Sequence, residues 1–559
     1  MSQTAAVLYK RDGYDTRGQR LLGRQAAGEG FLKALARHGT ADTLFCYTST
    51  REEFTEFCQQ IKTWAPQSPR KLQWLPDRNP LALAQAGLLY RPDAVIATLA
   101  WQRRFGNQRS YSLCGVTHTI ASKGAMQSIG DLLLAPLQPW DALICTSVAV
   151  KTAVTNLLED WAEYLAQRTG GKPDVQLQLP VIPLGVDCEA FLRGEDALVA
   201  RTQLRQELGI AADDIIVLFV GRLIFYAKAH PVPMYLALEQ AAQAISANIH
   251  LIQAGWFEDQ REEVSFKESA KRFCPSVNTI FLDGRRPEIR TRIWSVADIF
   301  ISLADNIQET FGLTPIEAMA AGLPVIVSDW NGYQESVRQG MDGFKIPTVT
   351  PPPGSGLELA AQYCSDTLNY STYIAQSAIA TSVDIPACTQ ALVSLIVNPD
   401  LRDRFGENGK ERAKKIYDWQ AVIAAYERLW QELTERRSIE RMSVPVKAGA
   451  PPHPLCDDPC RLFSHYPTAT LQPEMILALQ PEVTSAYLSH IRENWMTNLG
   501  VDTRLPAPSI DKFFQNLKIE GPQTVAEILA QHSEYPAAQV LSTLGYLLKF
   551  HILCIESPP

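Results

Sequence analysis

Residues 297–329 constrain the fold more than any other stretch. The apolar run Ala297-Asp-Ile-Phe-Ile-Ser-Leu303 reads as a buried strand. It leads into Asp305-Asn-Ile-Gln-Glu309-Thr-Phe-Gly312-Leu-Thr314-Pro315-Ile-Glu317-Ala-Met-Ala-Ala-Gly322-Leu-Pro324. Thr314 suits a helix N-cap, Pro315 the first helical position, and Gly322 the residue just past the helix end. Val325 to Val327 then form the next strand. Strand, loop, helix, strand is the repeating unit of a parallel sheet flanked by helices. It puts Glu309 on a loop at a strand's C-terminal end and Glu317 in the first turn of a helix.

That placement suits a polyol joined to a phosphate. A helix N-terminus offers free N–H groups and the positive end of its dipole to an anion. Carboxylates accept hydrogen bonds from sugar hydroxyls, and two of them can hold two sugars. A plainer reading of each acid stands beside this one. Thr314-Pro-Ile-Glu317 is also a capping box, in which Glu317 folds back on the Thr314 N–H. Glu309 is also an ordinary solvated loop acid.

The chain has 559 residues, enough for two or three domains with substantial cores. Its net charge of −8 gives no support to a nucleic-acid partner. No apolar run reaches membrane-spanning length and the N-terminus has no signal-peptide pattern, so any membrane contact is expected to be peripheral. Eleven cysteines, an odd number without paired spacing, point to a reducing cytoplasm.

Elsewhere the chain repeats the strand-and-helix alternation. Ala5 to Tyr9 is a first strand, feeding a glycine-bearing loop from Gly13 through Gly23, Arg24 and Gly28 to Gly30, and then a helix to His38. The loop is neither a dinucleotide fingerprint nor a Walker loop, so neither a dinucleotide enzyme nor an NTPase is indicated. Ala41 to Tyr47 and Ala94 to Leu99 read as strands, and Ser112 to Ile120 as a buried run ending on His118. His118 has three readings: a satisfied core histidine, a surface one, or a polar group facing a cleft. The last is favoured, because open α/β sheets bind ligands at strand C-terminal ends. Asp141 to Ser147 is a strand followed by a helix from Val148. Ile215 to Val220 is an unbroken apolar run fit for a central parallel strand, and Gly221, Arg222 and Lys228 stand on the loop that follows. Two cations there can hold a diphosphate, the arginine as a fork and the lysine as a point charge. They can equally be a solvated basic pair. Ile249 to Gly255 and Thr279 to Asp283 complete the strands of this half.

At Glu309-Thr-Phe-Gly-Leu-Thr-Pro-Ile-Glu317 the chain resembles the E-x7-E signature of retaining GT-B glycosyltransferases, family 4 type. Gly221-Arg222-Leu with Lys228 resembles that family's "GRL…K" pattern, with Ala229 where the family usually has glycine. Pro180 to Phe191 resembles its "IPNGVD…F" passage, with Leu184 in place of asparagine. Trp330 to Pro347 resembles the run that closes the nucleotide site, and there Glu335 has a helix-start location. The resemblance implies two facing Rossmann-like domains and sugar transfer from a nucleotide-diphosphate donor to an acceptor hydroxyl, with retention and without a metal or other cofactor. It implies that Arg222 and Lys228 meet the diphosphate with N–H groups near Phe311, Gly312 and Leu313. Glu309 would hold donor-sugar hydroxyls and Glu317 the ribose. His118 would sit beside the reacting sugar, and Gly23 and Arg24 would close over the diphosphate. The acceptor is open: glycan, lipid-linked or small molecule. A phosphorylase or epimerase on the same architecture and a catalytically idle binding scaffold are the alternatives.

The domains follow. Residues 1–209 form an acceptor-side Rossmann-like domain, and 210–417 a nucleotide-sugar domain interrupted at 348–383 by an insertion that begins as a loop. Residues 418–438 make an amphipathic helix crossing back to the first domain, with Val422, Ile423, Tyr426 and Trp430 on one face. A linker spans 439–469. An accessory, mainly helical module of winged-helix-like character is expected at 470–559, suited to protein contact or self-association. His453, Cys456, Cys460 and His465 do not have the spacing of a standard zinc finger.

Overall fold

The computed structural model describes residues 5–15, 23–191, 194–443, 445–447 and 450–556. The chain divides into two compact units, 1–453 and 454–559.

The first unit holds two parallel sheets. In the first, β1 (Ala6–Leu8), β2 (Thr43–Thr48), β3 (Lys71–Pro76), β4 (Leu88–Tyr90), β5 (Ser112–Val116) and β6 (Ala142–Ile144) run in the order β3-β2-β1-β4-β5-β6. In the second, β7 (Ile215–Val220), β8 (Ile249–Gly255), β9 (Asn278–Asp283), β10 (Ile299–Ser302), β11 (Val325–Ser328) and β12 (Gly343–Ile346) run β12-β11-β10-β7-β8-β9. Both orders are the doubly wound one, three strands to each side of the first crossover, so each sheet is Rossmann-like. Helices cover both faces, which is why β7 reads as a continuous apolar run and β8 and β10 as largely apolar ones: Val217, Leu218, Leu251, Ile252, Phe300 and Ile301 are all fully buried.

Three local expectations change. Ala94 to Leu99 is not a strand; it turns into the helix Ala97–Arg103. A short apolar run cannot separate a buried strand from a buried helix, and here the deciding contact is remote. Arg103 forks onto Asp141 at the start of β6, with bonds of 2.7 and 2.6 Å, both side chains fully buried. Gly23, Gly28 and Gly30 do not lie on a loop, because the helix Gly23–His38 already includes them. Two of these glycines serve packing: a Cβ on Gly28 would lie 2.0 Å from the Gly13 carbonyl oxygen, and one on Gly30 would lie 2.8 Å from the Trp419 ring. The rest of that glycine-bearing segment, 16–22, lies outside the described residues. The insertion, finally, is not only a loop. β13 (Thr348–Val349) pairs antiparallel with β14 (Ser382–Val383), and the helices Leu357–Cys364 and Tyr370–Ile379 lie between them.

The helix Trp419–Ile439 returns to the first sheet. Its Val422, Ile423, Tyr426, Trp430 and Leu433 share a core with Val7, Phe31, Leu35 and Tyr90. Phe31 stands 4.3 Å from Tyr90 and 5.0 Å from Tyr426, ring centre to ring centre. Two backbone connectors join the domains and bond to each other: Val186 N–H donates to Tyr417 O at 2.8 Å, and Trp419 N–H donates to Val186 O at 3.1 Å.

The second unit is built around an antiparallel sheet of β16 (Gln523–Thr524), β15 (Ile476–Leu479) and β17 (Leu553–Ile555), covered by the helices Ala507–Glu520, Val525–Gln531 and Ala537–Lys549. Leu477, Phe513, Phe514, Ile528, Leu544 and Ile552 make its core. Among the described residues no helix is long and apolar enough to cross a membrane.

A Cβ on Gly185 would lie 2.4 Å from the Trp419 ring. Gly185→Ala is therefore expected to cost about 1–3 kcal/mol through overpacking. Gly171→Ala, where a Cβ meets nothing within 4 Å, should be near neutral. Urea unfolding of the two variants compares them.

Candidate functional site

β7 and β10 are adjacent parallel strands whose onward connections diverge, β7's to β8 on one side and β10's to β11 on the other. Their C-terminal loops therefore part and leave a crevice, the general ligand position in an open α/β sheet. The loop after β7 carries Gly221, Arg222 and Lys228, and the loop after β10 carries Glu309. Side-chain amides stitch the loops together. Asn306 Nδ2 donates to Tyr226 O at 2.6 Å, and Gln308 Nε2 donates to Ala227 O at 3.0 Å.

At the centre Lys228 Nζ donates to Glu309 Oε2 in a short ion pair that is largely buried. The other oxygen, Glu309 Oε1, accepts from the backbone N–H of Thr310 at 3.2 Å and Phe311 at 3.4 Å. Burial alone pushes the Glu309 carboxyl up, but Lys228 and these N–H groups outweigh it and hold it below the ordinary range. Burial likewise works against the Lys228 ammonium, and Glu309 reverses that, raising it above its ordinary value. Both groups are thus charged at neutral pH. Arg222 is half-buried and has no hydrogen-bond or ion-pair partner among the described residues, so its guanidinium is open to an anion.

Gly312 adopts a left-handed conformation, φ 86°, and a Cβ there would lie 1.9 Å from the Tyr333 ring. Tyr333 is fully buried, its hydroxyl 3.0 Å from Ser302 Oγ. The following helix is Leu313–Ala320 with Gly312 in the N-cap position, so Thr314 lies inside the helix rather than capping it. The capping box expected of Thr314 and Glu317 does not form. A real one forms at Thr524 and Glu527, where the threonine precedes its helix. Glu317 sits at the fifth helical position, just past the first turn. Burial pushes its carboxyl up to about 7, against the opposing pull of Arg290 and Lys228.

His118 lies in the turn after β5, with Nε2 3.0 Å from Pro92 O. Phe311 is buried, its ring 6.1 Å from Tyr417. Leu313 opens the 313–320 helix. Gly23 opens the 23–38 helix, and the side chain of Arg24 lies outside what the structure describes.

Other groups have surroundings that no local pattern reveals. Asp305, in the loop three residues past β10, is 2% exposed, and burial pushes its carboxyl up to about 7 although His230 N–H donates to it at 3.3 Å. Glu335 does not serve the helix it belongs to. Its Oε1 accepts from Val148 N–H at 2.6 Å and Ala149 N–H at 3.2 Å, at the positive end of the helix Val148–Thr169 in the other Rossmann-like domain. Beside it Ser147 Oγ donates to Thr310 O at 3.0 Å. These contacts join residues 163 to 187 positions apart, which no local pattern reveals. Among the described residues no three His, Cys, Asp or Glu side chains gather as a metal would need, and that includes the 453–465 group.

Residues 200–351 match the family model described as "Glycosyl transferases group 1". The chain is 29% identical over 254 residues to D-inositol 3-phosphate glycosyltransferase of Geodermatophilus obscurus, covering 43% of this chain and 52% of that protein. To its namesake in Nocardia farcinica it is 30% identical over 241 residues, 42% of this chain and 50% of that one. It thus spans about half the length of these relatives. A sucrose-phosphate synthase from Thermosynechococcus elongatus aligns over 78% of this chain and 99% of its own, with 18% identity and a TM-score of 0.45.

Two outcomes follow from the site. Lys228→Ala leaves Glu309 buried without its cation and is expected to cost about 3 kcal/mol of stability. Adding Glu309→Gln should recover part of that loss, which denaturant unfolding of the single and double variants resolves. Glu317, ordinarily at 4.5, keeps its proton in the folded chain up to about 7. Its stabilising share is therefore complete below about 4.5 and is lost as pH rises towards 7. The stability of wild type minus that of Glu317→Gln should fall across this window and level off above it.

Proposed function

We propose that this chain is a glycosyltransferase that moves a sugar from a nucleoside-diphosphate donor to an acceptor hydroxyl, with retention at the anomeric carbon. The carrying observation is the meeting of Arg222, Lys228 and Glu309 where the β7 and β10 loops part, inside the stretch that matches group 1 glycosyltransferases. In this reading Arg222 and Lys228 meet the charge that grows on the leaving diphosphate, with the N–H groups of Phe311 to Leu313 and the backbone at Gly221 beside them. Lys228, paired with Glu309 in the free protein, is then shared between the carboxylate and the diphosphate. Glu309 accepts from donor-sugar hydroxyls and Glu317 from the ribose. His118 stands beside the sugar, and Gly23 and Arg24 close on the diphosphate side.

The anomeric C–O bond to phosphate breaks as the bond to the acceptor oxygen forms on the same face. The acceptor proton passes to a leaving phosphate oxygen. The two cations take the place of a metal, and no resident cofactor enters the reaction. A cytoplasmic setting belongs to the same proposal, in keeping with eleven cysteines, an odd number without paired spacing.

A panel of nucleotide sugars, read by released nucleoside diphosphate, tests the class. Transfer should persist in a strong chelator. Arg222→Ala should lower kcat by about 100-fold, or near 3 kcal/mol, with a smaller change in donor affinity. Above pH 7, where Glu317 is ionised, Glu317→Gln should weaken binding of the bare nucleoside diphosphate, because a neutral amide replaces a charged acceptor on the ribose. Glu309→Gln should leave that binding almost intact and instead reduce transfer and blur choice among donor sugars. Wild-type nucleotide affinity in Glu317→Gln, by calorimetry, would remove it from the ribose.

A further inference from the structure

The segment between β13 and β14 leaves the second Rossmann-like domain and returns to it, its ends pinned together by strand pairing. Most of it lies beyond residue 351, where the match to group 1 glycosyltransferases ends. Its two helices touch both sides of the candidate site. Towards the second domain, Ile374 is buried against Ile224 and Ala227, which lie between Arg222 and Lys228 in the chain. Asn306, three residues before Glu309, directs Nδ2 to Ile374 O at 3.5 Å.

Towards the first domain the segment grips the turn that carries His118. Tyr370 OH lies 3.3 Å from Thr119 Oγ1. Tyr363 OH accepts from Lys123 N–H at 3.0 Å. Lys123 Nζ donates to Cys364 O at 3.0 Å, reaches Asp366 Oδ1 at 2.5 Å and stands 5.1 Å from the centre of the Tyr363 ring. Tyr373 stacks on Tyr363 at 4.2 Å, which fixes that ring. One segment therefore bonds at one end to the His118 turn and packs at the other on the cation loop.

We propose that Tyr363 and Tyr370 are positioning residues for the transfer reaction, holding the His118 turn over the sugar through Lys123 and Thr119. This rests on the reading of the site as a sugar-transfer site. Neither tyrosine need touch a reacting atom. Their hydroxyls fix the distance between a wall supplied by one domain and the cations supplied by the other, and a displacement near 1 Å there can cost about 100-fold in rate. Burial raises the Tyr370 phenol above its ordinary value, so the hydroxyl stays neutral beside Thr119.

The test uses the full chain carrying Tyr363→Phe, Tyr370→Phe or both. Each change deletes one hydroxyl and keeps the ring that packs. Hydrogen exchange of residues 117–124 should quicken, most at the Lys123 amide. Nucleoside diphosphate affinity should stay within about twofold while kcat falls by about 10- to 100-fold in the double variant. Thr119→Val should lower kcat like Tyr370→Phe and add nothing to it, whereas Thr119→Ser should keep near-normal turnover. Faster exchange with unchanged kcat overturns the proposal, as does unchanged exchange. So does a parallel loss of kcat and nucleotide affinity, which is what a merely structural role would give. Absence of transfer by the wild type with every donor would instead bring down the reading of the site itself.

Discussion

The ion pair between Lys228 and Glu309 is the interaction on which the candidate site depends. It joins the loops of two neighbouring strands whose connections diverge, the one place in this sheet where a crevice opens by topology alone. A charge so far removed from water survives only with a partner and further hydrogen bonds, and Glu309 has both. The pair thus keeps a cation and an anion ionised at the crevice, ready to exchange partners when an anionic, hydroxyl-rich ligand arrives. Asn306 and Gln308 tie the loop backbones, so the charges sit on a fixed frame.

The two domains also meet here through the backbone. The helix Val148–Thr169 presents its positive end to Glu335, while Ser147 donates to the carbonyl of Thr310, next to Glu309. A shift of one domain is thereby felt one residue away from the central pair.

The second sheet was the more legible half in the sequence, for a physical reason. Strands buried on both faces, such as Ile215–Val220 and Ile299–Ser302, must be largely apolar, and their ends mark the loops where Arg222, Lys228 and Glu309 lie. In the first sheet β1, β4 and β6 are only three residues long; β1 and β6 were legible from longer apolar runs around them, and Leu88–Tyr90 was not. Ala94 to Leu99 illustrates the ambiguity, since Arg103 and Asp141 decide its conformation from 38 positions apart. The glycines at 28 and 30 were visible, but their reason was not, because the groups they make room for come from Gly13 and Trp419. Thr314 carried the letter of a capping box two residues too late. Tyr333 and Tyr370 were silent, and Glu335 showed only its helix-start position, because each acts on a partner brought near only by the fold.

Val186 and the stretch from Tyr417 to Trp419 are the two strands of chain that pass between the domains, and they are laced side by side by backbone hydrogen bonds, with Cys188 N–H also reaching Asp418 Oδ2 at 3.3 Å. Two cords tied along their length behave as a ribbon. A ribbon folds readily about the line across its width and resists wringing about its long axis. Motion between the domains is thereby channelled into one angular coordinate, so that jaws which part can return to the same registry of teeth.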